Sequence, residues 1–341
     1  MSPLSRNATP AKRDYRYPVI RKNANLPPEI TAMENKLSPF IRDKGFVILD
    51  GAMATELEAR GANLNHELWS AKLLTEDPAL IKQVHYDYLL AGADVITTAS
   101  YQASFEGFAK NGYTGEQAIA LMQLSVKLAF EARDAAMQVL SRKEKPLVAA
   151  SVGPYGASLA DGSEYRGNYG VSVEFLKAFH RRRMQVLINT GADVLACETI
   201  PCLDEALALK ELLAGFPGLQ AWVSFSCIDG EHLSSGEAFA DAVKLLNTSN
   251  QIIGIGINCT APQFIESLIK TGAALTDKQI LVYPNKGEVY DPVKKVWMSS
   301  SSGHHHFIDD ARVWYAAGCK VIGGCCRTTP EDIEELKGLG L

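Results

Sequence analysis

Short β-branched apolar runs alternate with longer amphipathic stretches from residue 46 to the end of the chain. The runs are FVILD (46–50), DVITTAS (94–100), PLVAASVG (146–153), DVLACET (193–199), QAWVSFSC (220–227), IIGIGINC (252–259), QILVYPN (279–285) and KVIGGCC (320–326). Short runs so nearly continuous in apolar character predict parallel strands covered on both faces. Between them the period changes. In EQAIALMQLSVKLAFEARDAAMQVL, Leu121, Leu124, Leu128 and Ala135 fall on one helical face, with a capping-box pair, Thr114 and Gln117, in front. Thr329 and Pro330 announce the last helix as an N-cap residue followed by proline at the first helical position. AGADVI, TGADVL and AGCKVI each place a glycine where a helix should end and a strand begin. Eight strand–helix repeats predict an α/β fold, a (β/α)8 TIM barrel. A doubly wound open sheet is the alternative, but no GxGxxG follows the first run.

Residues 1–44 break this pattern. They are basic, rich in Pro and Asn, and carry no sustained period, which predicts an N-terminal extension, partly disordered or wrapped on the surface, before a single barrel domain at 45–341. Asp14, Glu29 and the prolines argue against a transit peptide. A chain of 341 residues that is 47% hydrophobic and 21% charged has the composition of a globular protein. Its net charge of -5 disfavours nucleic acid or an anionic membrane as partner, and no apolar run approaches the roughly 20 residues of a membrane span. Seven cysteines are too few and odd in number for a disulfide scaffold, so reduced thiols and a cytoplasmic location are expected.

Barrel enzymes build their sites at the C-terminal ends of the strands. Asp50 stands there on the first run, Glu198 on the fourth, Asn258 and Cys259 on the sixth, and Cys325 and Cys326 on the eighth. The sixth and eighth strands flank the seventh, so Cys259 can meet the cysteine pair over the barrel mouth. Three thiolates can hold one Zn2+ and leave a tetrahedral position open, as catalytic zinc sites do. Successive strand residues face opposite ways, so both thiols of the pair can ligate only if the backbone leaves strand geometry, which Gly323 and Gly324 would permit. Three thiolates weaken the Lewis acidity of zinc towards water and favour a soft fourth ligand, a substrate thiol bound as thiolate.

Plainer readings stand beside these. Cys197, Cys202, Cys227 and Cys319 read as small buried hydrophobes, and spacing alone leaves Cys259 open between ligand and packing. Asp50 and Glu198 would either recognise a substrate ammonium group or cap helices and pair with arginines. The run His304–His306 reads as solvated loop, and Arg327 as an anion ligand or a surface ion-pair partner. A redox-active vicinal dithiol at Cys325–Cys326 is a competing function. A zinc hydrolase is disfavoured because no histidine ends a strand.

The motifs LDGAMATELEARG, ITTASYQAS, SVGPYGASLADGSEYRGNYG, ACETIP, GINC and IGGCCRTTP resemble the homocysteine S-methyltransferases, closest to the short cobalamin-independent members that use S-methylmethionine. The resemblance runs from about Phe46 to the C-terminus. It implies zinc held by Cys259, Cys325 and Cys326, one per chain, with the homocysteine thiolate as fourth ligand. It further implies that Asp50 and Glu198 contact the homocysteine amine and that amides near Gly51 and Ala52 receive its carboxylate, with Asn258 also in the substrate site. Many members have Gly-Gly after the aspartate, where this chain has Gly51-Ala52. The expected reaction is methyl transfer from S-methylmethionine, or S-adenosylmethionine, to homocysteine, forming methionine. Both partners are then small molecules. Tyr101, Tyr155, Tyr165 and Tyr283 are candidates to hold the cationic donor.

Overall fold

The computed structural model describes residues 34–64, 68–287, 289–291, 296–298 and 306–340. Among them, eight parallel strands form the barrel: β1 (Val47–Ile48), β2 (Val95–Thr97), β3 (Leu147–Val152), β4 (Val194–Ile200), β5 (Ala221–Phe225), β6 (Ile252–Asn258), β7 (Gln279–Tyr283) and β10 (Val321–Ile322). Neighbours follow the order β1-β10-β7-β6-β5-β4-β3-β2, and a parallel bridge between Leu49 and Val95 closes the ring. A short antiparallel hairpin, β8 (Val289–Asp291) with β9 (Val296–Met298), follows β7 and had no counterpart in the sequence reading. Each predicted run overlaps its strand, and seven contain it whole; β4 runs one residue past the predicted end, to Ile200.

The outer helices are α2 (Met53–Ala59), α3 (Leu73–Glu76), α4 (Pro78–Ala91), α5 (Phe105–Lys110), α6 (Gly115–Ala136), α7 (Val173–Ile188), α8 (Leu203–Leu213), α9 (Phe239–Asn247), α10 (Pro262–Leu275), α11 (Phe307–Ala316) and α12 (Pro330–Glu335). The expected capping box forms, Thr114 with Gln117 before α6, and the N-cap Thr329 makes a second one with Asp332 before α12. The three junction glycines, Gly92, Gly191 and Gly318, all take the left-handed conformation that releases the chain from helix to strand. The buried face of α6 differs from expectation at one end. Ala135 is exposed, and Ala132 and Ala136 are buried in its place.

Strand alternation sends Val47, Leu49, Val95, Ala149, Val194, Ala196, Trp222, Leu281 and Val321 into the barrel interior. The glycines of β6 make room for Leu281. A Cβ on Gly254 or Gly256 would lie 2.5 or 2.2 Å from Leu281, so the GIGIN run is glycine-rich because the interior beside it is full.

Residues 34–44, read from sequence as the end of the extension, belong to the same compact unit as the barrel, which begins at Glu34. They carry α1 (Ser38–Lys44), whose neighbour Leu37 and own Phe40 are buried against the interior cluster. Gln220 clasps this segment by accepting from Lys36 N–H (2.9 Å) and donating to Glu34 C=O (2.7 Å). Residues 1–33, the rest of the expected extension, lie outside the described residues.

Candidate active site

The register across β6, β7 and β10 sets the site. Asn258 pairs with Tyr283, and Val282 pairs with Ile322, so the residues following β6 and β10 stand side by side at one end of the barrel. Cys259, Cys325 and Cys326 meet there, with all three sulfurs within 4.8 Å of one another. These are the three half-buried cysteines; Cys197, Cys202, Cys227 and Cys319 are buried, as expected of packed thiols. The Cys325 and Cys326 sulfurs are 4.0 Å apart, far beyond the roughly 2.05 Å of a disulfide.

Both thiols of the pair reach the cluster because β10 ends at Ile322. Gly323 and Gly324 were expected to supply backbone freedom; what they supply is space. A Cβ on Gly323 would lie 2.5 Å from Leu49, and one on Gly324 2.3 Å from Thr328. The left-handed residues lie elsewhere: Thr199 (φ 60°), Cys259 (φ 48°) and Arg327 (φ 74°). Such a conformation in β-branched Thr199 is an outlier that surrounding contacts must hold. Asn258 holds it, accepting from Thr199 N–H at 2.8 Å and donating to Thr199 Oγ1 at 2.7 Å. Thr199 Oγ1 in turn lies 3.9 Å from the Cys259 sulfur.

Charge in the cluster is shared. Hydrogen bonds from the Cys325 and Cys326 thiols push the Cys259 thiol well below its ordinary pKa, with Thr199 and Tyr165 also donating. The same bonds to Cys259 push Cys325 and Cys326 up. Three converging sulfurs fit a soft divalent cation.

Asp50 and Glu198 both lie buried near this cluster. Asp50 accepts from Thr97 N–H (2.7 Å) and Thr97 Oγ1 (3.1 Å), yet burial, reinforced by the charge of Glu198, raises its pKa to about 8. Burial raises Glu198 to about 7, with the Cys259 charge adding to the effect. Ser151 Oγ and Tyr283 donate to Glu198, and Tyr283 is itself held by Trp222 Nε1 at 3.1 Å. Two buried carboxylates that pair with no cation among the described residues make a receptor for one.

The turn after Asp50 is tight. A Cβ on Gly51 would lie 2.8 Å from Tyr88, whereas Ala52 sits at φ -70°, ordinary for any residue, so the Gly-Ala sequence fits. The Ala52 N–H donates to Thr328 Oγ1 at 3.2 Å and is engaged within the protein. Arg327 donates its N–H to Thr55 Oγ1 at 3.1 Å and its charge acts on Glu58.

Of the four tyrosines, Tyr165 donates to Cys259 and Tyr101 is hydrogen-bonded to Thr199. Tyr283 serves Glu198. The Tyr155 ring packs edge-on against Tyr169, Phe175 and Phe179. His306 is exposed, as a solvated loop predicts, while His304 and His305 lie outside the described residues. Sequence reasoning passed over Thr199, Ser151 and Thr97. Their role is to hold other side chains, and nothing in their local sequence marks it.

The homocysteine S-methyltransferase sequence profile matches residues 47–339. The chain is 54% identical over 293 residues to homocysteine S-methyltransferase YbgG of Bacillus subtilis, covering 85% of this chain and 93% of that protein. It is 49% identical over 312 residues to the homocysteine S-methyltransferase of Escherichia coli, covering 90% and 99%. The crystal structure of the metallated form of the Escherichia coli homocysteine methyltransferase MmuM superposes with a TM-score of 0.81 at 48% identity, covering 89% of this chain and 99% of that one. The profile match, the two relatives and the shared barrel agree: this chain belongs to the homocysteine S-methyltransferase family.

Proposed function

We propose that this protein transfers a methyl group from S-methylmethionine to the thiolate of L-homocysteine, forming two molecules of methionine, at a zinc site made by Cys259, Cys325 and Cys326. The observation that carries the reading is the convergence of three half-buried sulfurs within 4.8 Å at the barrel mouth. Zinc, when bound there, supplies the Lewis acidity that keeps the homocysteine sulfur deprotonated at neutral pH.

The chain's own residues do the rest. Asp50 and Glu198 receive the homocysteine ammonium group, which provides the counter-charge their burial denies them. Asn258, through Thr199, fixes the backbone on one side of Cys259. With both substrates held in line, the thiolate sulfur forms a bond to the methyl carbon as the carbon–sulfonium bond breaks. Its electron pair returns to the donor sulfur, leaving a neutral thioether. Proximity and alignment supply much of the rate, since the donor is activated by its own charge.

The redox-dithiol reading has less support, because the cysteine pair is joined by a third thiol and the relatives are methyltransferases. Small-molecule substrates and seven free cysteines fit the cytoplasm. Among the described residues no helix is long and apolar enough to cross a membrane.

Zinc content and methionine formation, measured on one preparation of wild type and Cys326→Ser, test the reading. It expects one zinc per chain, lost with activity in the variant. A folded wild type that stays inactive after zinc is restored overturns it.

A further inference from the structure

Glu164 is a carboxylate that the mechanism above leaves unused. It lies in a single turn of 3-10 helix (Ser163–Tyr165) within the long connection from β3 to α7, next to Tyr165, which donates to Cys259. Its Oε2 is shielded from solvent and has no hydrogen-bond partner among the described residues. A buried acceptor left unsatisfied costs free energy, and a carboxylate more than a neutral group.

The surroundings sharpen the point. Burial pushes the Glu164 pKa up to about 7 despite a bond from its own backbone N–H, and the Cys259 and Asp161 charges oppose ionisation further. Arg166, whose charge acts on Glu164, makes its hydrogen bonds to Asp161 C=O (3.1 Å) and Ser163 Oγ (3.0 Å). The backbone that carries Glu164 is firmly held. Ser226 Oγ donates to Glu164 C=O at 3.0 Å, and Gly156 is packed so closely that a Cβ there would lie 2.5 Å from Glu164 N. A rigidly placed carboxylate near the thiol cluster, with no ion pair among the described residues, is suited to receive a cation from a ligand.

Which positive charge it takes follows from the chemistry. The sulfonium charge of the donor disappears as the methyl group leaves, so a carboxylate against that sulfur would stabilise the ground state more than the transition state. An α-ammonium group keeps its charge throughout. The reaction brings together two amino acids, each with an α-ammonium group, and Asp50 with Glu198 accounts for only one. We infer that Glu164 receives the α-ammonium group of the amino-acid methyl donor and so selects such donors over sulfonium compounds that lack the amine. The inference rests on the methyltransferase reading and deepens it.

Steady-state kinetics at saturating homocysteine test it, with S-methylmethionine and its deamino analogue dimethylsulfoniobutanoate as donors to the zinc-loaded wild type and Glu164→Gln. The expected result is a KM for S-methylmethionine raised about tenfold to a hundredfold, the scale of a lost charged hydrogen bond, with kcat little changed. The KM of the deamino analogue stays where it is. Glu164→Asp, one methylene shorter, gives an intermediate shift. Calorimetric titration with S-methylmethionine shows the same weakening, and thermal unfolding with zinc analysis verifies that each variant is folded and loaded. Equal shifts for both donors, or no shift for either, overturn the role of Glu164 and leave the methyltransferase intact. A zinc-loaded wild type that forms no methionine from S-methylmethionine overturns the donor reading and this inference together.

Discussion

Asn258 grips Thr199 at two points, through the backbone N–H at 2.8 Å and through Oγ1 at 2.7 Å. The two residues sit on β6 and β4, on either side of β5, and both bonds are buried. The grip holds a β-branched residue at φ 60° and points its hydroxyl towards the sulfur of Cys259. Through Thr199, Asn258 is tied to the surroundings of Cys259, which suits it to a positioning role.

Replacing Asn258 with Ala frees Thr199 to leave the left-handed region and strands its buried N–H. Loss of about 1–3 kcal/mol of stability is expected from the unsatisfied donor. Zinc affinity should fall with it, because the partner of Cys259 is no longer fixed. Chemical denaturation and a competitive zinc titration on the same variant check both effects. Wild-type zinc affinity in the variant would argue against the positioning role.

Gly324→Ala places a methyl group 2.3 Å from Thr328, whose Oγ1 bonds the Cys325 carbonyl at 2.6 Å. Something must shift, and the neighbouring segment is the one that carries Cys325 and Cys326. A cost of about 1–3 kcal/mol is expected for this overpacking, together with loss of bound zinc. Thermal unfolding and metal analysis read the two effects separately.

Asp50 makes the ligand-free protein sensitive to pH. Its folded pKa of about 8 lies above the unfolded value, so its stabilising contribution is full at acid pH and is lost as pH rises towards about 8. Asp50→Asn keeps an acceptor for Thr97 N–H and removes the charge. The variant should therefore gain stability relative to wild type at pH 8.5 and much less at pH 5, while binding homocysteine more weakly. Melting curves at the two pH values, with and without homocysteine, decide it. An identical pH dependence in both proteins would refute the assignment.

Glu205 joins the β3–α7 connection to the helical layer. It accepts from Tyr155 N–H at 2.6 Å and from Tyr169 OH at 3.1 Å, and bonds His180 Nε2 at 2.7 Å. Burial and the Arg183 charge keep His180 largely neutral, with a pKa of about 4. Glu205→Ala leaves these groups without their acceptor and Arg183 without a counter-charge, which should cost about 3–5 kcal/mol. The connection should also become cleavable between residues 154 and 172, as limited proteolysis followed by mass spectrometry would show.

Local patterns in the chain determined the barrel. Apolar runs spaced by amphipathic stretches marked eight strands, the glycines at 92, 191 and 318 marked helix ends, and Thr114 and Thr329 marked helix starts. All of these depend on backbone conformation within a few residues, so sequence alone carries them. The chemical types at the strand ends were legible for the same reason, since a parallel barrel brings its C-terminal strand ends to one face. Only the tertiary structure decided what those residues do to one another. The register between β6, β7 and β10 gathers the three sulfurs, a neighbour two strands away sets the backbone of Thr199, and Thr328 occupies the Ala52 amide. It also drew residues 34–44 into the barrel unit, where Leu37 and Phe40 complete an interior cluster that no local period announces. Contacts between residues tens to hundreds of positions apart are set by the packing of the whole barrel, and no local stretch of sequence specifies them.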